Sequence, residues 1–192
     1  LDLVASLAEG LGAGFDALAA RVDVASLAAG AAEDDSPDVR QSGFAILGDM
    51  AAACAPRLLP HLQRIVQLSL RCLAPDQLRP EAMNCANNAC WSLGELLSRA
   101  GPEEVGGVSV AVAQHLCPIL QMQVPLSVRH NAAVALGRML RAAPGPMAPH
   151  VGQFLAPWCK QLRRMRDDTE KEDAFLGVCA VVELNPAGAL EG

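Results

Sequence analysis

An all-α repeat fold follows from three observations on the 192-residue sequence. Hydrophobic residues make up 52 % of it and aromatics 3 %, with no Tyr, so Ala, Leu and Val carry the apolar content, and Ala and Leu favour helix. Pro and Gly punctuate the chain into apolar stretches of helical length, and no stretch alternates strictly as a half-buried strand would. Four stretches can be laid over one another, anchored on Gly48, Gly94, Gly137 and Cys179, with steps of 46, 43 and 42 residues. A period in the low forties filled by two helices is the signature of a HEAT-repeat α-solenoid, a superhelix of antiparallel helix pairs.

The second helix of each pair follows from the superposed stretches, which run over 37–49, 84–95, 127–138 and 172–179. The first helices are expected near 22–33, 58–73, 103–122 and 148–165, where Pro60, Pro118 and Pro157 should bend three of them. Asp34 and Asp35 precede Pro37-Asp38, and the acidic run over 167–173 opens the last helix. Acids at a helix start complement its dipole, so that run reads as a solvated first turn, and Arg163, Arg164 and Arg166 as the end of the helix before it. A solenoid needs polar caps, and neither end here is polar enough. The chain therefore reads as about four and a half repeats of a longer array, approximately 1–13 (partial), 22–54, 58–100, 103–143 and 148–185, with no domain boundary inside. The start, Leu1 to Glu9, begins without Met as if in mid-helix, which suggests a fragment; with two acids and no basic residue it is not a signal peptide.

Composition and motifs exclude several function classes. The net charge of −6 argues against nucleic acid. The uncharged stretch over 105–128 holds Gly106, Gly107, Gln114, Pro118, Gln121, Gln123 and Pro125, so no membrane insertion is expected. The seven Cys (54, 72, 85, 90, 117, 159 and 179) include no C-x-x-C and lie in apolar stretches, which reads as reduced core thiols of a cytosolic or nuclear protein. His61, His115, His130 and His150 have no Cys or second His at ligand spacing, so no metal site is expected. No phosphate loop, nucleophile elbow or zinc-protease motif occurs, and no catalytic residue, cofactor or enzyme activity is assigned.

Helical geometry singles out residues that do not fit a core. With Ala86 at zero and about 100° per residue, Ala89, Cys90, Leu93 and Leu97 form the buried stripe. Trp91 then falls at about 140°, between Asn87 at about 100° and Glu95 and Asn88 at about 180–200°. The largest apolar side chain of the helix thus stands on its polar side. In the other stretches the cores are Phe44, Leu47, Ala51 and Cys54, and Ala132, Leu136, Met139 and Leu140. Asp49, then Asn131, Val134 and Arg138, and in the last stretch Leu176 face away from them. Because equivalent helices stack side by side, Ala45, Trp91, Val134 and Leu176 form one row, and Asp49, Glu95 and Arg138 another. Exposed apolar groups, backbone-bonding carboxamides and acids together suit a groove for an extended, basic peptide, with Trp91 as hot spot. Trp158, following Pro157, is expected to pack against the next helix.

At Asn84-Cys-Ala-Asn-Asn-Ala-Cys-Trp-Ser-Leu-Gly-Glu-Leu96 the sequence resembles the transportin family of karyopherin-beta nuclear import receptors. Matching pieces occur in family order at 7–12, 39–49, 131–138, 157–167 and 170–175, and so cover nearly the whole chain. The resemblance implies the C-terminal half of such a receptor, whose inner face binds nuclear localisation signals of the proline-tyrosine type. It maps the pocket for the signal's N-terminal hydrophobic or basic part onto Asp49, Asn87, Trp91, Asn131 and Val134, beside Asn88 and Glu95. Val134 stands where the family usually has Ile, and His130 where it has Glu; both bear on signal preference. The implied partners are cargo proteins carrying such signals, with Ran GTPase and nucleoporins bound through the full-length receptor, which shuttles between cytoplasm and nucleus. The Ran-binding repeats would lie upstream of this chain. Two other readings fit the repeats alone: a HEAT scaffold subunit of a multi-protein complex, or another importin or exportin relative.

Overall fold

The computed structural model describes residues 1–191, which contain helices and no strand. They divide into two compact units, Leu1–Arg99 and a second that begins at Ala100.

The first unit is built from α1 (Asp2–Leu11), α2 (Phe15–Ala19), α3 (Val24–Ala31), α4 (Pro37–Cys54), α5 (Leu62–Cys72) and α6 (Met83–Leu97). Local chemistry sets the ends. Asp23 caps α3 by accepting from the Ser26 amide at 3.0 Å. Pro37 opens α4, where its missing N–H costs nothing, and Asp38 follows in the first turn. Helices α3 and α4 form one pair and α5 and α6 the next, while α4 lies along α1 on one side and α6 on the other. Close approach within the first pair requires Gly43, because a Cβ there would stand 2.6 Å from the Ala32 amide nitrogen. The predicted stripes are the core: Phe44, Leu47, Ala51 and Cys54 of α4 and Ala86, Ala89, Cys90, Leu93 and Leu97 of α6 are all buried.

The second unit comprises α7 (Pro102–Ile119), α8 (Leu126–Ala142), α9 (Val151–Leu162), α10 (Thr169–Leu184) and the short α11 (Pro186–Leu190). Helix α8 packs on α7 and α9 and lies along α10. Two glycines set that last distance: a Cβ on Gly137 would overlap the Ala174 backbone, and one on Gly177 would overlap the Gly137 carbonyl. Ala132, Leu136, Met139 and Leu140 are buried, as predicted. Trp158 packs where the sequence places it. Its ring meets Phe175 of α10 edge-on at 5.0 Å, and its Nε1–H donates to the Ala133 carbonyl at 2.8 Å. The acidic run opens α10 as a first turn: the Asp168 carboxylate accepts from the Lys171 amide at 3.0 Å. In each unit the second helices of neighbouring pairs lie side by side, α4 with α6 and α8 with α10. This is the build of a HEAT-repeat α-solenoid.

Three expectations need correction. Pro60 does not bend a helix; it lies in a 3-10 turn, Leu59–His61, ahead of α5, whereas Pro118 and Pro157 do fall inside α7 and α9. The cysteines are not all core thiols. Cys54, Cys72, Cys85 and Cys90 are buried, Cys117 is half-buried, and Cys159 and Cys179 are exposed, because an apolar stretch leaves one helix side to solvent whatever its composition. Third, residues placed opposite the core are not thereby in solvent, as Glu95 and Val134 show below. Among the described residues, no single helix is long and apolar enough to cross a membrane.

Candidate functional site

On α6, Asn88, Trp91 and Glu95 are three and four residues apart and so share one flank. That flank is turned toward α4. The Asn88 side-chain amide donates to the Gln41 carbonyl of α4 at 3.2 Å. One turn on, the Trp91 indole covers Gly48, so closely that a Cβ on Gly48 would stand 2.6 Å from its Cε3. Trp91 is therefore half-buried, with one part of the ring seated on bare α4 backbone, not freely exposed as the helical wheel alone suggests.

Acids and amides surround this ring. Glu95 is 6 % exposed, and its carboxylate accepts from Arg99 Nη1 at 2.7 Å. Asp49, next to Gly48, is half-buried and carries a carboxyl pushed up to about 6: lost hydration is the main cause, with the Glu9 and Glu95 charges adding repulsion. Asn87 is half-buried and its side-chain amide reaches Asn88 Oδ1 at 3.4 Å. The first unit thus brings together Asp49, Asn87, Asn88, Trp91 and Glu95. An aromatic face beside carboxamides and carboxylates can take an apolar side chain, bond a peptide backbone and favour a cation.

The predicted residues of the second unit sit on α8. Asn131 is half-buried, but Val134 is 4 % exposed and Arg138 8 %. Arg138 Nη2 lies 3.4 Å from Glu170 Oε1, and Arg141, one turn further, pairs with Asp173. Val134 occupies the same flank of α8, the one turned to α10, which corrects the expectation that it faces outward. Leu176 of the same predicted row is exposed, at 48 %.

Sequence reasoning missed two members of the first-unit site. Gly48 enters the repeat pattern as an alignment anchor alone, whereas the structure makes it the seat of the Trp91 ring, and its lack of a side chain is the one signal of this in the sequence. Glu9, one of the two acids at the start of the chain, acts through its charge on Asp49.

No protein-family model matches the chain. Transportin-1 of Oryza sativa subsp. japonica is 42 % identical over 192 residues, which is 99 % of this chain and 21 % of the relative. Transportin-1 of Homo sapiens is 35 % identical over 191 residues, covering 100 % of the chain and 21 % of the relative. Importin subunit beta-2 of Schizosaccharomyces pombe is 30 % identical over 188 residues, 97 % of the chain and 20 % of the relative. The chain thus spans about a fifth of the length of the curated relatives it matches. With similarity running through its entire length and helix pairs stacked as in a HEAT array, the chain is similar throughout to one part of a transportin, as a fragment of such a protein would be.

Proposed function

We propose that the chain is the cargo-binding segment of a karyopherin-type nuclear import receptor and takes nuclear localisation signals of the proline-tyrosine type. Its relatives carry the names transportin and importin beta-2, which support the transport role. The observation that carries the signal-binding reading is the half-buried Trp91 ring on Gly48, bordered by Asn87, Asn88, Asp49 and Glu95. An apolar signal residue stacks on the ring, the carboxamides bond the extended backbone, and the acids draw basic residues. In the second unit Asn131 bonds signal backbone, and buried Val134 shapes the surface from beneath. Cargo proteins are the partners of this segment; Ran GTPase and nucleoporins engage other parts of a full-length receptor that moves between cytoplasm and nucleus. The role needs neither catalysis nor cofactor.

The test is a fluorescence-anisotropy titration of a labelled basic-hydrophobic proline-tyrosine peptide against the chain and its Trp91→Ala variant. Removal of a hot-spot Trp costs about 2 kcal/mol, or roughly thirty-fold in Kd. A folded variant that binds every such peptide as tightly as the parent would refute the assignment.

A further inference from the structure

Away from the candidate site, Cys72 and Cys85 place their sulfurs 3.1 Å apart. Cys72 ends α5 and Cys85 lies in the first turn of α6; they are 7 % and 1 % exposed. The Arg40 guanidinium of α4 faces the pair and is held there by the Asp34 and Asp35 carbonyls, to which Nη1 donates at 2.8 and 3.0 Å. The two sulfurs share a hydrogen bond in which either can donate; that bond together with Arg40 holds the Cys85 thiol below its ordinary range, while the same bond and burial push Cys72 up. By contrast, burial pushes up the thiols of Cys54, Cys90, Cys117 and Cys159. A pocket of ≈ 360 Å³ lined by Arg40, Arg71, Cys72 and Asp76 opens from solvent onto the Cys72 side of the pair.

We propose that Cys72 and Cys85 are a redox modification site, closing a reversible disulfide between α5 and α6 when a hydroperoxide enters that pocket. An S–S bond of about 2.05 Å needs an approach of only about 1 Å from the present separation. The proton shared between the sulfurs lets negative charge pass to Cys72 at the pocket wall. That thiolate attacks one peroxide oxygen, the O–O bond breaks, and Cys72 becomes a sulfenic acid as the other oxygen leaves as hydroxide and takes up a proton to form water. The Cys85 sulfur then attacks the Cys72 sulfur and expels the hydroxyl, which leaves as water with the remaining proton. Overall two thiols and one hydrogen peroxide give one disulfide and two waters, and a dithiol reverses it. The bond would fix the end of α5 to the turn that precedes Asn87, Asn88 and Trp91.

The experiment treats the folded full chain with limiting hydrogen peroxide, caps remaining thiols, and digests it with trypsin and a protease that cleaves before Asp. Cleavage before Asp76 separates Cys72 from Cys85, so mass spectrometry reads the disulfide as a linked peptide pair. The expected result is that this pair forms ahead of any other cysteine product, with loss of two of the seven thiols and full recovery in dithiothreitol. In a folded Cys72→Ser variant the linked product disappears. The proposal falls if exposed Cys159 or Cys179 is oxidised first, or if the link forms only after denaturation. Because the parent chain carries the decisive reading, a variant that failed to fold would not alter it.

Discussion

Trp91 sits on Gly48: the indole occupies the space that a side chain on Gly48 would need. In a helix interior Gly→Ala ordinarily gains about 1 kcal/mol from propensity. Here the added carbon meets aromatic carbons, and overpacking costs about 1–3 kcal/mol. Gly48→Ala is therefore expected to lower the urea midpoint and to shift tryptophan emission, because the ring must leave its seat. Peptide affinity should fall along with it.

A matched pair of glycine variants separates propensity from packing. Gly177 of α10 lies against the Gly137 carbonyl and the Arg141 amide, whereas Gly107 of α7 has open space around its Cβ position. Gly177→Ala should destabilise the fold by about 2 kcal/mol or more. Gly107→Ala should stabilise it by about 0.5–1 kcal/mol. Thermal unfolding of the two variants against the parent reads opposite signs.

Asp49 predicts a pH dependence with a definite sign. Its folded-state pKa of about 6 lies above the ordinary 3.8, so between these values the folded chain keeps a proton that the unfolded chain has released. The group's contribution to stability therefore falls as pH rises through that window and stays low above it. Asp49→Asn removes the buried charge and should stabilise the chain by about 1 kcal/mol near pH 8, a value discounted for the partly solvated site, with no difference near pH 4. Under the proposed function, a basic peptide should bind more tightly as Asp49 ionises, and added salt should weaken that gain.

Trp158 anchors α9 to both neighbours through its bond to Ala133 and its edge contact with Phe175. Trp158→Phe loses the hydrogen bond and some volume, for about 1–3 kcal/mol. Trp158→Ala opens a cavity and should cost about 3–5 kcal/mol. Denaturant unfolding followed by circular dichroism measures both.

Core positions and helix order were legible because both depend on periodicity and punctuation: the stripes on α4, α6 and α8 needed nothing beyond 3.6 residues per turn. The flanks were not legible in the same way. A helical wheel has two sides, core and solvent, but a solenoid helix has a third, turned to the equivalent helix of the next repeat. Glu95 and Val134 point away from the core stripe and are buried all the same. Half-buried Trp91 and the raised Asp49 carboxyl have that origin too, since ring seat and desolvation come from neighbouring chain. The cysteine pair escaped notice because Cys72 and Cys85 meet only where α5 and α6 fold together.

The seat of Trp91 on Gly48 also bears on how such a surface can be rebuilt or exchanged. Trp91 comes from one repeat and the bare backbone beneath it from the repeat before, so the recognition element is a seam that no single repeat owns. Grafting α6 alone into another helical array would transplant the indole without its support, and a recipient carrying Ala in place of Gly48 would reject the ring. The smallest portable unit is two consecutive second helices, α4 and α6, each with the first helix that buries its core stripe.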